Sequence, residues 1–478
     1  MVDFTDTSPT YSQTNFQNLL FGTDPSIASG PGSLSDYYSE VSYGQLSVTG
    51  NVVGWVTADK THDYYGRNSG RMDANVSELI RESAQKVDSQ VDFSQYDNDG
   101  DDVVDQFVVI HQGAGEEFSG QSTDIWSHHY SIDYQTNDGV TIQSYTIQPE
   151  TQNGQISTTG VFAHEMGHAF GLPDLYDTDY SSAGIGDWGL MSSGSWNGVN
   201  RAGDSPAHLS AWSKQYLSWI SPTTLQNGES LADKQIDPAT TTTDFYQLRQ
   251  PTSQQREYFL VGNRQRTGFD KGLPGSGVAI WHIDRSNIDN NCLYYNDCND
   301  DENDKLVDLE AGDGAADLDN DTNTGNAADL WPSGTFDGSS TPSSDFDNGT
   351  ASDVFVANIG SSGGASYTAD FGVGSQTTHA SVATGSASNV DSSSARLSGD
   401  LTDLGSAASV DVYLTYWIEG QKSSTQQYAD GGTRTSTGSF SADASSLQSG
   451  TPYVFKAIGQ EDDGDWVPTG QEQTFQTS

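Results

Sequence analysis

Basic residues are scarce in this 478-residue chain. Lys and Arg number 19, against 66 Asp and Glu, so the formal net charge is −47 at pH 7. Such a surface repels phosphate groups, and we expect neither nucleic acid nor an anionic membrane as a partner. Self-repulsion of this size is hard to sustain at low salt, whereas at molar salt the screening length falls to about 3 Å. The charge balance therefore predicts a protein adapted to concentrated salt, from an extreme halophile.

Long apolar runs are also missing. No stretch has the length or composition of a transmembrane helix, and none has that of a signal peptide, so we expect no membrane insertion. Hydrophobic residues make up only 33% of the chain, a fraction that is typical of disordered proteins when their charge is high. Disorder is not expected here, because the chain contains 10 Trp, 22 Tyr and 18 Phe.

Cysteine occurs only twice, at Cys292 and Cys298, within the polar segment 290–300. A zinc site built on this pair would lack its other ligands. A disulfide that closes a short loop is the other interpretation, and it fits an oxidising compartment. The pair therefore predicts a disulfide in a secreted protein.

Residues 164–174, with the sequence HEMGHAFGLPD, carry the strongest positive signal. His164 and His168 are four residues apart, which places both on one face of a helix and within reach of one metal ion. Glu165 lies one position round from that face, where its carboxylate can reach a water at the metal. Many HExxH matches are ordinary helix residues, so the residues that follow decide the interpretation.

The third ligand is predicted to be Asp174. Gly171 tolerates the backbone angles of a helix-ending turn and stands three residues before this carboxylate. A Glu on the next helix would be the alternative, but no Glu occurs in the helix-like stretch 206–219, and the next one in the chain is Glu229. Three protein ligands with one open position are typical of a hydrolytic zinc site, so we expect Zn²⁺ there.

A methionine supports this interpretation. Met191 lies in the Gly- and Ser-rich segment 188–196, and the chain has only four Met. The arrangement resembles the Met-turn of metzincin-like peptidases, in which the thioether packs beneath the metal site. Taken alone, such a Met would be interpreted as a flexible apolar side chain that fills a gap.

An acidic segment near residue 100 predicts calcium. Four carboxylates and one carbonyl would occupy alternate positions of a calcium-binding loop: Asp97, Asp99, Asp101, the carbonyl of Val103, and Asp105. Oxygen ligands at this spacing, with a Gly in the turn, suit Ca²⁺. Val108 stands where a complete EF-hand has a bidentate Glu. A second acidic group is explained as well by a solvated surface as by a metal: Asp308, Glu310, Asp313, Asp317, Asp319 and Asp321.

Several segments outside the metal motif resemble the immune inhibitor A family of secreted zinc metallopeptidases. They are 35–38 (SDYY), 42–45 (SYGQ), 52–55 (VVGW), 125–128 (IWSH), 210–217 (SAWSKQYL) and 273–284 (LPGSGVAIWHID). The similarity runs over residues 3–370. It implies a zincin fold and hydrolysis of peptide bonds in protein or peptide substrates. It also implies a signal and propeptide upstream of the given sequence, which would then be a truncated or mature-like form.

On this interpretation, Glu165 acts as the general base and then delivers the proton to the leaving amine. An oxyanion stabiliser is also required, and four side chains stay open as candidates: Tyr176, Tyr180, His128 and His208. Two rival functions also stay open. One is an inactive, calcium-stabilised adhesin whose working part is the C-terminal domain, and the other is a zinc hydrolase that acts on something other than peptides. The intact Glu165 argues against the adhesin.

The chain is too long for one domain, and an α+β fold followed by an all-β domain is predicted. We expect a zincin-like catalytic domain in residues 1–222, a β-rich companion region packed on it in 223–372, and a separate β-sandwich in 379–478. Helices are predicted near 73–87 and from about 206 to 217, and strands at 106–111, 258–261 and 278–281. A Gly-, Ser- and Thr-rich linker is expected at 372–378. The last domain resembles a fibronectin type III domain. Attachment to a surface or substrate, or a plain spacer, are equal interpretations of its role.

Overall fold

The computed structural model describes residues 1–22, 27, 29–70, 72–250, 256–374, 379–462, 464–467 and 470–478. Contacts within the chain divide it into two compact units, residues 1–374 and 375–478. Of the linker predicted at 372–378, residues 375–378 lie outside the described residues. Within the described part of the chain, no helix combines the length and the apolar character needed to cross a membrane.

A mainly parallel sheet forms the first layer of the unit 1–374. Its strands are β1 (Val2–Asp3), β2 (Val56–Thr57), β5 (Phe107–Ala114), β6 (His128–Gln135), β7 (Thr141–Gln152) and β8 (Gln155–Ile156), and a small hairpin is made of β3 (Asn68–Ser69) and β4 (Met72–Asp73). The order is β2-β1-β5-β7-β6, with β8 paired to β7. Strands β1, β2, β5 and β7 run parallel, whereas β6 is antiparallel to β7 and lies at the edge. The strand predicted at 106–111 is confirmed as β5.

The helices of this unit are short, and three of them begin at a serine whose side chain caps the first turn. The helices are α1 (Gln13–Phe21), α2 (Leu34–Val41), α3 (His62–Gly66), α4 (Val76–Val87), α5 (Glu116–Ser119), α6 (Thr159–Ala169), α7 (Ala211–Tyr216), α8 (Ser286–Asp289) and α9 (Cys292–Tyr295). The helix predicted at 73–87 is confirmed as α4. The helix predicted at 206–217 is shorter than expected, because the Ser210 side chain accepts the Ser213 N–H and caps α7 there.

Helix α6 carries the metal motif and buries most of its surface between the sheet and α2. Val161, Phe162 and Ala163 belong to one apolar core, and the Tyr38 hydroxyl donates to the Ala163 carbonyl at 2.6 Å. The helix ends at Ala169, and the predicted turn follows at Gly171, whose φ is +85°. A left-handed residue after the last turn is the usual way to close a helix.

Residues 223–373 form two sheets packed face to face. One sheet has the order β14-β13-β12-β11-β9 and the other β10-β17-β16-β15. The strands of the first are β9 (Thr223–Leu225), β11 (Tyr246–Leu248), β12 (Glu257–Arg264), β13 (Gly277–Asp284) and β14 (Val307–Leu309). Those of the second are β10 (Glu229–Ile236), β15 (Gly334–Phe336), β16 (Val354–Gly363) and β17 (Ser366–Val373). The strands predicted at 258–261 and 278–281 are confirmed as parts of β12 and β13.

Strand β13 is buried on both faces, which attaches the sandwich to the helix that carries the metal motif. Trp281 and Ile283 belong to the core that contains α6. Val278 and Ile280 point the other way, into the core between the two sheets. Alternating side chains of one strand therefore join the two cores, as the period of two along a strand requires.

A buried polar network connects α2, α7 and the sandwich. Lys214 donates to the Tyr43 hydroxyl at 2.9 Å and lies 3.0 Å from Nδ1 of His208. Nε2 of His208 lies 2.9 Å from Glu40. A lone His at the start of a helix is more often a surface or capping residue, but His208 is fully buried. Its partners come from 168 residues earlier and six residues later in the chain.

The unit 375–478 is a two-sheet β-sandwich. Its strands are β18 (Ser381–Ser388), β19 (Ser394–Asp403), β20 (Val410–Ile418), β21 (Gln427–Arg434), β22 (Gly438–Ser445), β23 (Pro452–Glu461) and β24 (Gln473–Gln476), with the short helix α10 (Lys422–Thr425). One sheet has the order β18-β19-β22 and the other β21-β20-β23-β24. Leu397, Leu414 and Phe455 are fully buried between them.

Candidate metal centre

Two histidines of α6 are held in one orientation by backbone carbonyls. Nδ1 of His164 lies 2.9 Å from the Leu190 carbonyl, and Nδ1 of His168 lies 2.8 Å from the Leu172 carbonyl. A carbonyl oxygen only accepts, so in the neutral imidazole each Nδ1 carries the proton and each Nε2 has a lone pair for a metal. Hydrogen bonds of this kind orient the imidazoles of metal sites.

Asp174 closes the group. Its Oδ1 lies 3.1 Å from Nε2 of His164 and 3.2 Å from Nε2 of His168. Burial alone would raise the pKa of this carboxyl, but the two imidazoles outweigh burial and hold the pKa well below its usual range. Asp174 therefore stays ionised and offers an anionic oxygen beside the two nitrogens.

The second carboxylate oxygen of Asp174 is fixed by Asn296. Nδ2 of Asn296 donates to Oδ2 at 2.6 Å, and the Asp174 N–H donates to Oδ1 of Asn296 at 2.7 Å. Oδ1 of Asp174 makes no hydrogen bond to any described residue. The pair therefore leaves one carboxylate oxygen directed towards the histidines.

The loop that carries Asn296 is closed by the predicted disulfide. Cys292 and Cys298 are bonded to each other and are both buried. Beyond the bridge, Nδ2 of Asn299 donates to the Leu175 carbonyl at 3.1 Å. The carboxylate of Asp300 accepts the N–H of Thr178 at 2.8 Å. The loop 292–300 is therefore attached at three points to the segment that follows the metal motif.

Glu165 lies beside the histidines, and its carboxylate is buried. Glu165 is only 5% exposed, and its Oε2 has no hydrogen-bond partner among the described residues. Burial raises the pKa of Glu165 to about 7, although His164 and His168 oppose the shift. A carboxyl that changes its protonation near neutral pH is suited to accept and return a proton.

Met191 lies directly beneath α6. A Cβ added to Gly167 would fall 2.4 Å from Sδ of Met191, so the thioether occupies the space that this glycine leaves open. The Met191 carbonyl accepts the N–H of Leu175 at 2.7 Å. The turn around Met191 thus contacts both the helix and the segment that bears Asp174.

The cleft in front of α6 contains two of the four candidates for the oxyanion stabiliser. Tyr176 and Tyr180 line it together with His164 and Glu165. The Tyr176 ring lies nearly parallel to that of His164, at 24°. His128 lies elsewhere, with Nδ1 bonded to the Trp126 carbonyl at 2.7 Å and Nε2 3.0 Å from the Tyr145 hydroxyl.

His208 is also excluded as the oxyanion stabiliser, because it is buried in the network with Glu40 and Lys214 and does not line the cleft.

Comparison with known proteins agrees with this geometry. Residues 3–220 match the profile of the immune inhibitor A peptidase M6 catalytic domain. Residues 3–220 are thus similar to the catalytic domain of the immune inhibitor A (M6) peptidases. The chain is 32% identical over 279 residues to the pre-pro-metalloprotease PrtV of Vibrio cholerae serotype O1, which covers 49% of this chain and 30% of the relative. It is 30% identical over 251 residues to immune inhibitor A of Bacillus thuringiensis subsp. alesti, which covers 44% of this chain and 36% of the relative.

The chain spans about a third of the length of the curated relatives it matches. Among solved structures, the sensor domain of the anti-sigma factor RsgI4 of Pseudobacteroides cellulosolvens is 21% identical, covering 21% of this chain and 97% of that one, with a TM-score of 0.18. A human fibronectin type III domain is 18% identical, covering 25% of this chain and 90% of that one, also with a TM-score of 0.18. At TM-scores this low, neither comparison supports a statement about the fold or the function of this chain.

The structure brings together only some of the ligands predicted for the calcium-binding loop. Carboxylate oxygens of Asp97, Asp99 and Asp101 lie within 4.8 Å of one another. Asp105 turns away, and its carboxylate accepts from the backbone and side chain of Asn98. Val103 forms an isolated bridge with Thr141 of β7, so the loop is anchored to the sheet at that point. Calcium binding here stays a prediction.

The second acidic group is divided among separate partners. Lys305, which is almost fully buried, pairs with Asp308 and Asp319. Asp317 accepts from the side chain of Asn323 at 2.8 Å. Oε1 of Glu310 lies 3.5 Å from Nδ1 of His282. The six acidic residues therefore do not form one metal site.

Sequence reasoning missed three side chains at the M6 site. Asn296 lies 122 residues from its partner Asp174, and nothing in its local sequence marks it. Glu117 lines the cleft and accepts the N–H and the hydroxyl of Ser127 at 3.1 and 2.7 Å. Trp196 also lines the cleft, where its ring lies 6.2 Å from that of Phe118.

Proposed function

We propose that this chain is a zinc-dependent endopeptidase that acts on protein or peptide substrates. One observation carries the proposal. The unbonded Oδ1 of Asp174 lies 3.1 and 3.2 Å from two histidine nitrogens, and Glu165 lies in the same cleft with an unbonded carboxylate oxygen. The similarity of residues 3–220 to the M6 catalytic domain supports the assignment to peptide hydrolysis.

The donor atoms fit zinc. Two ligands about 2.0–2.1 Å from a tetrahedral zinc ion lie roughly 3.3 Å apart, which is close to the separations of Asp174 from His164 and His168. Two imidazole nitrogens and one carboxylate oxygen are a ligand set of hydrolytic zinc enzymes. Zinc held there supplies Lewis-acid polarisation of the scissile carbonyl and makes water nucleophilic near neutral pH.

Glu165 moves the proton. Its Oε2 is buried and makes no hydrogen bond to a described residue, so it is free to accept a proton from the attacking water. The same oxygen then delivers that proton to the nitrogen of the leaving amine. A pKa of about 7 suits both transfers, because the group is then neither a permanent base nor a permanent acid.

Tyr176 is the group that we assign to the oxyanion. Burial, with Asp174 second, raises the pKa of its hydroxyl far above the usual range, so it keeps its proton. A protonated hydroxyl at the cleft wall can donate to the oxygen that becomes negative during acyl transfer. Stacking on His164 holds the ring beside the metal ligands.

The test compares wild type with Glu165→Gln and Tyr176→Phe in concentrated salt, with casein as the substrate and bound zinc measured in each protein. We expect Glu165→Gln to lose essentially all cleavage while keeping its zinc. Loss of one oxyanion donor typically lowers kcat by about 10²–10³-fold, and we expect this for Tyr176→Phe. Glu419→Gln, an exposed change in the other unit, serves as control.

The outcomes separate the rival functions. Equal cleavage by wild type and Glu165→Gln would exclude this mechanism. A folded, zinc-loaded wild type that cleaves no protein would favour the adhesin, in which the sandwich 375–478 does the binding. Cleavage of esters or other small substrates without cleavage of casein would favour a zinc hydrolase of another class.

We further propose that the enzyme works outside the cell, and that calcium at Asp97, Asp99 and Asp101 stabilises it. The disulfide supports an oxidising compartment. The sandwich of residues 379–478 is proposed to be a fibronectin type III-like module that attaches the enzyme to a surface or substrate. Deleting that module should leave casein cleavage intact and abolish binding of the enzyme to that surface or substrate.

A further inference from the structure

A second group of metal-ligating side chains lies outside the catalytic cleft, at one end of the sandwich of residues 223–373. It contains Glu257, His282 and Asp347, whose ligand atoms all lie within 4.8 Å of one another. Glu257 begins β12, and His282 lies in the neighbouring strand β13. Asp347 comes from the connection between β15 and β16, in the opposite sheet. The group therefore brings together side chains from both sheets.

The unbonded atom in this group is Nε2 of His282. The residue is 5% exposed, and Nε2 has no hydrogen-bond partner among the described residues. Oε2 of Glu257 nevertheless lies only 3.2 Å away. This oxygen accepts the N–H of Asp347 at 2.8 Å and makes no hydrogen bond with Nε2. Asp174 Oδ1 shows the same relationship to the histidines of the catalytic cleft.

The imidazole is held from two other directions. The Phe259 ring stacks on it, with the centroids 4.6 Å apart and the planes at 22°. Oε1 of Glu310 faces the opposite nitrogen, Nδ1, at 3.5 Å, and Oδ1 of Asp347 lies at the same distance from it. A carboxylate behind the second nitrogen of a ligating histidine is a usual feature of metal sites, because it fixes the ring and its tautomer.

The surrounding charge favours a cation. Asp284 and Asp304 form a further cluster with Asp347, again with oxygens within 4.8 Å. Among the ion pairs of the described residues, none brings a Lys or Arg to Glu310 or Asp347. Burying several carboxylates beside one imidazole is costly unless a positive charge compensates them.

We propose that Glu257, His282 and Asp347 bind a second divalent transition metal, of the zinc type, that joins the two sheets of the sandwich. The imidazole nitrogen favours zinc over calcium, which prefers oxygen ligands. The separation of 3.2 Å between Nε2 and Oε2 is close to the roughly 3.3 Å expected for two ligands of a tetrahedral zinc. The site is structural, because it lies in the sandwich and not in the cleft that contains Glu165.

The test counts metal ions. The full chain is stripped with a chelator, loaded with zinc in excess calcium, dialysed and analysed by mass spectrometry for both metals. Excess calcium occupies clusters that have only oxygen ligands. We expect two zinc ions per chain in wild type, one in His282→Gln, and one in the double variant His164→Gln/His168→Gln. The double variant keeps the second site even if the catalytic proposal fails.

Asp347→Asn is a second variant for the case that the buried His282 variant misfolds. It is expected to fold, because the Asp347 side chain is about one-third exposed. We expect it to weaken zinc binding at this site by more than the about 10- to 100-fold that loss of an outer-shell partner costs. His379→Gln, which removes another carboxylate-paired histidine, should keep both ions.

Zinc should also raise the unfolding temperature of the double variant His164→Gln/His168→Gln, but not that of the same variant with His282→Gln added. One zinc per chain in wild type would overturn the proposal, since His282 would then act as a protonated counter-charge to its carboxylates. Calcium in place of zinc, lost in Asp347→Asn, would overturn it as well.

Discussion

Asn296 and Asp174 exchange two hydrogen bonds of 2.6 and 2.7 Å across 122 residues of sequence. Asn296 has a left-handed backbone, with φ at +58°, and follows helix α9 inside the disulfide loop. Its amide bonds one carboxylate oxygen and the backbone N–H of Asp174. The other oxygen is thereby kept for the metal, so Asn296 is a positioning residue.

Asn296→Ala should therefore weaken zinc binding by about 10- to 100-fold, the range for outer-shell partners. The physical reason is that Asp174 loses the bonds that fix its orientation. Competition with a chromophoric chelator measures the affinity, and Tyr295→Ala, an exposed change in the same loop, is the control. An unchanged zinc affinity in Asn296→Ala would show that the metal motif orients Asp174 without help.

The disulfide should contribute to both stability and metal binding. Its cysteines are six residues apart, and closing so short a loop stabilises a fold by about 2 kcal/mol in the chain-entropy treatment. We expect Cys292→Ser/Cys298→Ser to lose stability of this order and to bind zinc more weakly, because Asn296 is less well held. Denaturant unfolding and the chelator assay measure the two effects. Lost stability with unchanged zinc affinity would separate the bridge from the metal centre.

Gly167→Ala should destabilise the centre by overpacking. The new Cβ would lie 2.4 Å from Sδ of Met191, so the Met191 side chain beneath the helix must move. Such strain typically costs about 1–3 kcal/mol. Gly54→Ala is the matched control, since its Cβ would meet only the end of the Gln13 side chain at 3.4 Å. Thermal unfolding of both variants is the measurement, and equal losses would contradict the contact with Met191.

The buried Lys214 should make the free energy of unfolding increase with pH in the alkaline range. Burial lowers the pKa of Lys214 from 10.5 to about 7, an effect that the nearby Asp270 only partly opposes. Between these values the unfolded chain binds more protons than the folded one, so this group makes stability rise as pH increases from about 7 to 10.5. The comparison of wild type with Lys214→Met, by denaturant unfolding at several pH values, isolates the effect, because other groups titrate alike in both.

In Lys214→Met the rise should be smaller than in wild type. Lys60→Met, which removes an exposed lysine, should keep the wild-type slope. Parallel pH curves for wild type and Lys214→Met would show that the buried amine keeps its ordinary pKa.

Salt should stabilise the whole chain. With a formal net charge of −47, self-repulsion is screened only when the Debye length becomes a few ångström, which requires about molar salt. We expect the unfolding temperature to rise steadily up to that concentration, and to rise equally in NaCl and KCl. Maximal stability at low salt would contradict the adaptation to concentrated salt, which otherwise stays a prediction.

The local part of the metal site could be predicted from the sequence. His164 and His168 share a helix face because of their spacing of four, and Gly171 ends the helix because it accepts a positive φ. The strands β12 and β13 were also predictable, because each contains a short run of consecutive apolar residues. Each of these features depends on neighbours within about one or two turns of chain.

Tertiary structure decided the rest. Asn296 reaches Asp174, and His208 becomes buried between Glu40 and Lys214, only because distant segments meet. The second metal group likewise needs strands of one sheet and a connection of the other. Contacts of this kind depend on the path of the whole chain and leave no local periodicity. The sequence by itself predicted the three candidate metal ligands and the likeness to M6 peptidases, while the fold alone determined what holds those side chains in place.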